Sequence, residues 1–443
     1  MATYGRVKKI KYRRRQVIRV VFSRFREQFL NPYYPGDQQA LHMFRKDIRK
    51  LSANFSRLFF FQYSLWSRYW FHKHIYRSII LQGQHTHTLE AIIRASRNGA
   101  LFYFPNHQAH IDSMVISWMA KQLRVPQPMF IAWNTLARRR SSYLMPMVNS
   151  CLLDREIMDS RFQPSDPFRN TRSYRAGYAR LFNEYLKHML SRGVDTLIYP
   201  EGGRSYSGKI GEARIRRVFK SARQTQDSLS GELEIFIVPV SLSFTLVPEA
   251  AQLIRACHEG SFLPPSSLFH DMQHGDDRYA AFRPRYETRT SFPFIRRFAD
   301  KRTPIFCVPG DPISLREAEP TLEQCFRVVK ENLKILPPYF VARLLLSDAV
   351  NRELKRVQGK PGVEMEPGRV DALMEPARSL RDLLPAGQLD EAYFNDSGLR
   401  DILSIGLEFF HHEGALTCQG SIHDPLILEY YANKCDPVRA PGF

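Results

Sequence analysis

Short apolar runs alternate with amphipathic segments from about residue 85 to residue 317, which is the signature of an α/β domain. The runs ALFYF (100–104), PMFIAW (128–133), DTLIYP (195–200), EIFIVPVSLSF (234–244) and PIFCVPG (304–310) are predicted strands. Helical periodicity predicts helices over 112–123, 170–192 and 211–224. The expected fold is α/β, a mixed sheet core flanked by helices, with helical N-terminal and C-terminal extensions. Residues 247–302 read as a long insert containing Pro, Arg and His with weak periodicity. Beyond Pro312 the pattern turns helical: TLEQCFRVVKENLKIL and YFVARLLLSDAVNREL both fit a 3.6-residue period, a linker follows near QGKPGVEMEPG, and an acidic helical tail occupies 370–435.

Ahead of the α/β region, KKIKYRRRQVIRVVFSRFREQFL mixes Val17, Ile18, Val20, Val21, Phe22 and Phe25 with arginines in a helical pattern, a basic amphipathic stretch suited to an anionic membrane surface. Next, LFFFQYSLWSRYWFHKHIY carries Phe59, Phe60, Phe61, Tyr63, Trp66, Tyr69, Trp70 and Phe71. No apolar run there reaches the ~18 residues of a spanning helix. The cluster suits either the headgroup region or packing on the main domain. Three regions are therefore expected: 1–84, basic, aromatic and membrane-associating; 85–317, the α/β catalytic domain; and 318–443, helical with an acidic tail.

Charge sharpens this division. The chain holds 64 Lys and Arg against 44 Asp and Glu, a net +20 that favours an anionic partner. Residues 1–30 hold ten basic residues and one acid, whereas residues 387–443 hold nine acids and three basic residues, so the positive potential is concentrated at one end. Nucleic acid is not the expected partner, because no binding motif is present and the basic segment is interleaved with aliphatics. The six cysteines are scattered without a C-x-x-C pair, and no hydrophobic signal segment precedes the first domain. The expectation is a reduced protein at the cytoplasmic face of the cell's inner membrane, peripheral or monotopic.

Two loops carry the candidate chemistry. The predicted strand ending at Phe104 runs into PNHQAHIDS, which puts His107 and Asp112 at the carboxyl end of a strand, where open α/β sheets hold their sites. His107 can serve as a general base with Asp112 fixing its tautomer and balancing the imidazolium. Equally, Asp112 can cap a helix and His107 be an ordinary loop residue. The run His107-x-x-His110-x-Asp112 offers metal-ligand types, but no second cluster in the domain completes a shell, and no metal is expected. The second loop, in DTLIYPEGGRSYSGK, brings Glu201, Gly202, Gly203, Arg204 and Ser205 to another strand end. Backbone amides freed by glycine together with a guanidinium suit a phosphate or an oxyanion. A tight turn with a solvated arginine is the plainer alternative.

The ordered blocks His107-x-x-x-x-Asp112, Arg155 in NSCLLDRE, YPEGGRS and FIVPVSL resemble those of the glycerolipid acyltransferases, over roughly residues 95–245. The Glu-Gly-Gly-Arg-Ser form is closer to the glycerol-3-phosphate branch than to the lysophosphatidate branch, and LEYYANK (428–434) is similar to the carboxyl-terminal region of the bacterial glycerol-3-phosphate enzymes. Two positions depart from the pattern: Asn149 stands where the second block has Gly, and Asp154 precedes Arg155. The resemblance implies a glycerol-3-phosphate acyltransferase that moves a fatty acyl group from acyl-CoA or acyl carrier protein, as co-substrate and without a cofactor, to glycerol 3-phosphate. Lysophosphatidate acylation, or a non-catalytic scaffold of the same fold, is the alternative. It further implies His107 as base, Asp112 as its orienting carboxylate, and Arg155, Glu201, Gly202, Gly203, Arg204 and Ser205 around the phosphate and glycerol. Val238, Pro239 and Val240 would wall the acyl donor. Arg138, Arg139 and Arg140, after the second predicted strand, suit a phosphate or carrier-protein surface and equally a solvated basic turn.

Overall fold

A computed structural model describes residues 13–74, 78–109, 111–134, 141–158, 164–229, 233–247, 250–258, 304–317, 319–347, 367–389, 394–417 and 422–435. Eight strands form one sheet among them: β1 (Ser78–Leu81), β2 (Gly99–Pro105), β3 (Met129–Trp133), β4 (Ser150–Leu153), β5 (Thr196–Leu197), β6 (Glu234–Phe244), β7 (Pro304–Pro309) and β8 (Ile313–Ser314). Their order is β1-β7-β6-β2-β5-β3-β4, with β8 beside β6. Strands β6, β2, β5, β3 and β4 run parallel, so their carboxyl ends share one edge; β7 and β8 run antiparallel to β6. The sheet is mixed, as expected.

The N-terminal helices are α1 (Arg14–Phe25), α2 (Asn31–Tyr33), α3 (Gln38–Leu51) and α4 (Arg57–His74). Through the α/β region run α5 (Thr88–Asn98), α6 (Asp112–Gln122), α7 (Ser141–Met147), α8 (Arg155–Met158), α9 (Arg172–Ser191), α10 (Arg216–Ser228) and α11 (Ala250–His258). The C-terminal set is α12 (Leu322–Glu331), α13 (Pro337–Leu345), α14 (Pro367–Leu383), α15 (Asp396–His412) and α16 (Pro425–Ala432). Strand alternation sorts the side chains between two cores. Leu101, Tyr103, Val238, Val240 and Leu242 face α6, α11, α13, α15 and α16, whereas Ala100, Phe102, Phe104, Ile235 and Ile237 face α1, α3, α9 and α10. The N-terminal and C-terminal helices thus complete the two faces of the sheet, and β1 belongs to the sheet although it precedes residue 85.

Local chemistry accounts for these elements. Asp37, Thr171 and Thr321 cap α3, α9 and α12 by accepting from Ala40, Tyr174 and Gln324 backbone N–H groups. Gly177 admits aromatic rings to the face of α9, since a Cβ there would lie 2.6 Å from Phe29 and 2.7 Å from Phe44. Pro239 sits inside β6 at the point where its outer neighbour changes from β8 (paired with Phe236 and Ile237) to β7 (paired with Val240 onward). Its carbonyl still accepts from Gly310 N–H on that side, so the missing donor falls at a gap in the ladder.

From Arg13 onward, where the described residues begin, the basic N-terminal stretch packs its apolar side on protein. Val17, Val21, Phe22 and Phe25 are buried against α3 and α9, so the apolar side of α1 is already covered by protein. Exposed apolar side chains lie instead on and just before α4: Phe55, Leu58, Phe61 and Leu65. The helix predicted from YFVARLLLSDAVNREL is α13 up to Leu345; residues 348–366 lie outside the described residues, as do 259–303 of the insert.

Candidate active site

The first loop is built from the end of β2 outward. Asn106 continues the strand: its Nδ2 donates to the Leu242 carbonyl (3.0 Å) and its Oδ1 accepts from Leu242 N–H (2.7 Å). That clamp fixes where the chain turns away from the sheet. His107 follows, and its Nδ1 lies 2.8 Å from Asp112 Oδ2. Asp112 is the first residue of α6 and fully buried; its Oδ2 also accepts from the N–H groups of Gln108 (2.7 Å) and Ala109 (3.0 Å). The carboxylate therefore closes the loop on itself and orients the imidazole at once. The His107 ring stacks on Tyr199 at 3.7 Å and 12°, and Tyr199 bonds Ser113 through its hydroxyl at 2.7 Å. With Nδ1–H donating to Asp112, Nε2 is the ring nitrogen through which His107 can take a substrate proton.

The second loop begins two residues after Tyr199. The Glu201 carboxylate accepts from His107 N–H through Oε2 (2.8 Å) and from Gly211 N–H through Oε1 (2.7 Å). Ser205 N–H donates to the His107 carbonyl (2.9 Å), and the Ser205 hydroxyl donates to the Lys209 carbonyl (2.5 Å). These bonds tie the two loops to each other, and they occupy both oxygens of Glu201. Gly202 adopts φ +73°, a left-handed conformation in which a side chain is strained, and a Cβ at Gly202 or Gly203 would meet open space. The open side of the turn is thus free for a ligand, with Arg204 next in sequence. Arg204 is close enough to Asp112 to act on its charge.

Arg155 opens α8 just past β4, and its N–H donates to Asn134 Oδ1 (3.2 Å) at the end of β3. Its guanidinium lies 6.0 Å over the ring of Trp133, the last residue of β3. Asn149 has φ +72°, a region that glycine and asparagine enter most readily, so this residue meets the backbone demand that a glycine would meet there. Asp154 accepts from Arg169 (3.3 Å), which also pairs with the buried Asp47 of α3; the end of β4 is thereby anchored to the N-terminal helices. Val238, Pro239 and Val240 lie in register with Tyr103, Phe104 and Pro105, and the two valines are wholly buried in the core beneath α6. His110 and Arg138–Arg140 lie outside the described residues.

The electrostatics follow from burial. Burial raises the Asp112 carboxyl to about 8, against the Ala109 and Gln108 amides and the charges of Lys434 and Arg204, which oppose the rise. Glu201 is raised to about 7 by the same cause, against the His107 and Gly211 amides. Among the described residues, no group of three or more His, Cys, Asp or Glu side chains is placed to hold a metal ion. A paired base at one strand end and guanidiniums at two others, all on the carboxyl edge of parallel strands, can activate a hydroxyl while holding an anion.

A family model described as Acyltransferase matches residues 85–243. The chain carries an acyltransferase-family domain. Curated relatives include the glycerol-3-phosphate acyltransferases of Pseudomonas aeruginosa PAO1, 26% identical over 183 residues, and of Pseudomonas fluorescens SBW25 and Ectopseudomonas mendocina, 24% and 25% identical over 182. Each match covers 41% of this chain and only 19% of the relative. The 1-acyl-sn-glycerophosphate acyltransferase of Thermotoga maritima aligns over 79% of this chain and 100% of its own at 14% identity, with a TM-score of 0.31, too distant to bear on function.

Tyr199, Asn106, Gln108 and Asn134 join the candidate site without having been singled out in the sequence. Tyr199 and Asn106 each lie within two residues of a predicted site residue at a strand end, a position that was itself a signal. Asn134 carried none, because its role depends on β3 and β4 being neighbours.

Proposed function

We propose that the protein transfers a fatty acyl group from a coenzyme A or acyl-carrier-protein thioester to glycerol 3-phosphate. The observation that carries this reading is the His107–Asp112 pair at 2.8 Å, tied through Glu201 and Ser205 to a glycine turn that runs into Arg204. His107 takes the proton of the acceptor hydroxyl through Nε2 as the oxygen attacks the thioester carbonyl. The tetrahedral intermediate collapses, the C–S bond breaks, and the proton on His107 passes to the departing thiolate. Asp112 carries the charge that balances the imidazolium during this cycle. No serine or cysteine nucleophile is required. Arg204 and Arg155 suit the acceptor's phosphate, which guanidinium pairs with bidentately. The names of the curated relatives support glycerol 3-phosphate as the acceptor.

The test offers palmitoyl-CoA with glycerol 3-phosphate or lysophosphatidate and follows thiol release. Glycerol 3-phosphate is expected to be consumed, and Arg204→Ala is expected to raise its KM about tenfold or more, since a charge-assisted pair contributes about 1.5–3 kcal/mol. Turnover with lysophosphatidate alone would move the enzyme to the second acylation; no turnover with either acceptor would overturn acyl transfer.

An anionic membrane surface is the proposed working place of this enzyme, because its acyl chains and its product partition into lipid. No helix among the described residues is long and apolar enough to cross a membrane. Contact through α4 is the alternative that its surface supports: Leu58, Phe61 and Leu65 recur at helical spacing and are 71%, 56% and 48% exposed. Leu58→Ser/Phe61→Ser/Leu65→Ser is expected to lower co-sedimentation with vesicles containing phosphatidylglycerol at least tenfold, each side chain contributing about 1 kcal/mol or more on burial. Undiminished sedimentation would exclude this face.

A further inference from the structure

A buried cation on the loop of the candidate base comes from the far end of the chain. Lys434 lies just after α16, outside the stretch matched by the family model, and is 1% exposed. Its Nζ donates to Gln108 Oε1 at 2.9 Å. It also stands 4.7 Å from the ring centroid of Tyr430 and 5.7 Å from that of Tyr339, so aromatic faces cradle the ammonium. Gln108 is no bystander: its backbone N–H donates to Asp112 Oδ2, and its Nε2 holds the Leu242 carbonyl that also receives Asn106.

The same terminal segment grips the second loop. Asn433 Nδ2 donates to the Ser207 carbonyl at 2.9 Å, and Gly208, at φ +83°, lets the Tyr430 carbonyl approach to where a Cβ would lie 1.9 Å away. No side chain fits that contact. Residues 430–434 thus reach both site loops, and they deliver one cation between them.

We infer that Lys434 is a positioning residue of the acyl-transfer site, whose buried ammonium stabilises the negative, base-competent form of the His107–Asp112 pair. The inference rests on the acyl-transfer reading for its purpose, and on geometry for its content. Removing a lysine from water is costly and persists where opposite charge and hydrogen bonds offset the cost. Here the offset is two buried carboxylates, Asp112 and Glu201, both of which feel the Lys434 charge. Among the described residues, the groups facing Asp112 are His107 beside it, Tyr199, Glu201 and Arg204 at the second loop, Tyr339 from α13, and Lys434. Taken as a unit, the deprotonated pair carries one negative charge and the protonated pair none, whichever residue holds the proton. A nearby cation therefore lowers the pair's apparent pKa, and its loss raises it.

The experiment uses the full chain with histidines labelled at 13Cε1, the His107 signal being assigned with His107→Ala, and titrates it in the wild type, Lys434→Met and Lys434→Arg. Lys434→Met is expected to raise the apparent pKa by about one unit or more, to move the acid limb of kcat upward with it, and to lower Tm, since two buried carboxylates lose their counter-charge; the titration and kcat are therefore read well below the variant's Tm. Lys434→Arg, which keeps the charge, should titrate within a few tenths of a unit of wild type. A Met variant titrating as wild type, or losing activity only as it loses Tm, overturns the assignment. If Lys434→Met does not fold, Lys434→Gln, which keeps a donor for Gln108, is judged by the same criteria. A wild type without turnover refutes acyl transfer, while the titration still decides Lys434.

Discussion

His107→Ala is expected to lower kcat for acyl transfer by about 10²–10⁴-fold, the range a positioned general base contributes. The variant removes the imidazole that Asp112 orients at the end of β2, and the two carboxylates described beside it are poor substitutes: the Glu201 oxygens are held by the His107 and Gly211 amides, and Asp112 is fully buried. The fold should survive. The backbone N–H of residue 107 still donates to Glu201 and its carbonyl still accepts from Ser205, since neither bond uses the side chain. What is lost is the ring stack on Tyr199, worth about 1 kcal/mol, which translates into a fall in Tm of a few degrees. Thiol release from palmitoyl-CoA with and without acceptor measures the rate, and calorimetry measures the fold. Retention of a tenth of the wild-type rate would remove His107 from the role of base.

Much of this site could be read from the chain because it lies at strand ends. Long apolar runs such as ALFYF and EIFIVPVSLSF mark β2 and β6 closely, and His107 and Glu201 follow predicted strands directly. Shorter strands were not legible. SIIL of β1 and SCLL of β4 are four residues each, too brief for a period, and β4 flanks the loop that carries Arg155. The amphipathic N-terminus could be read as helix but not as to its partner: the pattern Val17, Val21, Phe25 reports an apolar face and cannot say whether lipid or α9 covers it. Glu201 was legible as a site residue, whereas its two amide partners, one of them 94 residues away, depend on tertiary closure. Lys434 stood at the end of LEYYANK without a role of its own, because its meaning arises only when α16 lies against the loops after β2 and β5.

Asp112→Asn tests the charge of the pair with little change of shape, and its expected signature runs opposite to that of Lys434→Met. Oδ2 accepts three bonds, from His107 Nδ1 and from the Gln108 and Ala109 amides, so the asparagine oxygen takes that place and the His107 tautomer is kept. What disappears is the negative charge that balances the imidazolium. The kcat should fall about 10²–10⁴-fold, and the acid limb should move down by about one to three pH units, since an opposite charge at this range favours protonation of the histidine by that much. Stability should respond differently. A carboxyl whose folded pKa lies above its unfolded value adds stability that is full below the unfolded value and is lost as pH rises through the folded one. For Asp112 that window runs from 3.8 to about 8, with Glu201 rising from 4.5 to about 7 beside it. The wild-type Tm should therefore decline across the window, and Asp112→Asn, with nothing to ionise at 112, should decline less and equal or exceed wild type at pH 8. An acid limb that moves upward instead, or a Tm profile as steep as the wild type's, would mean that Asp112 is not the ionised partner of His107, and the cation supplied by Lys434 would then have no anion at the pair to stabilise.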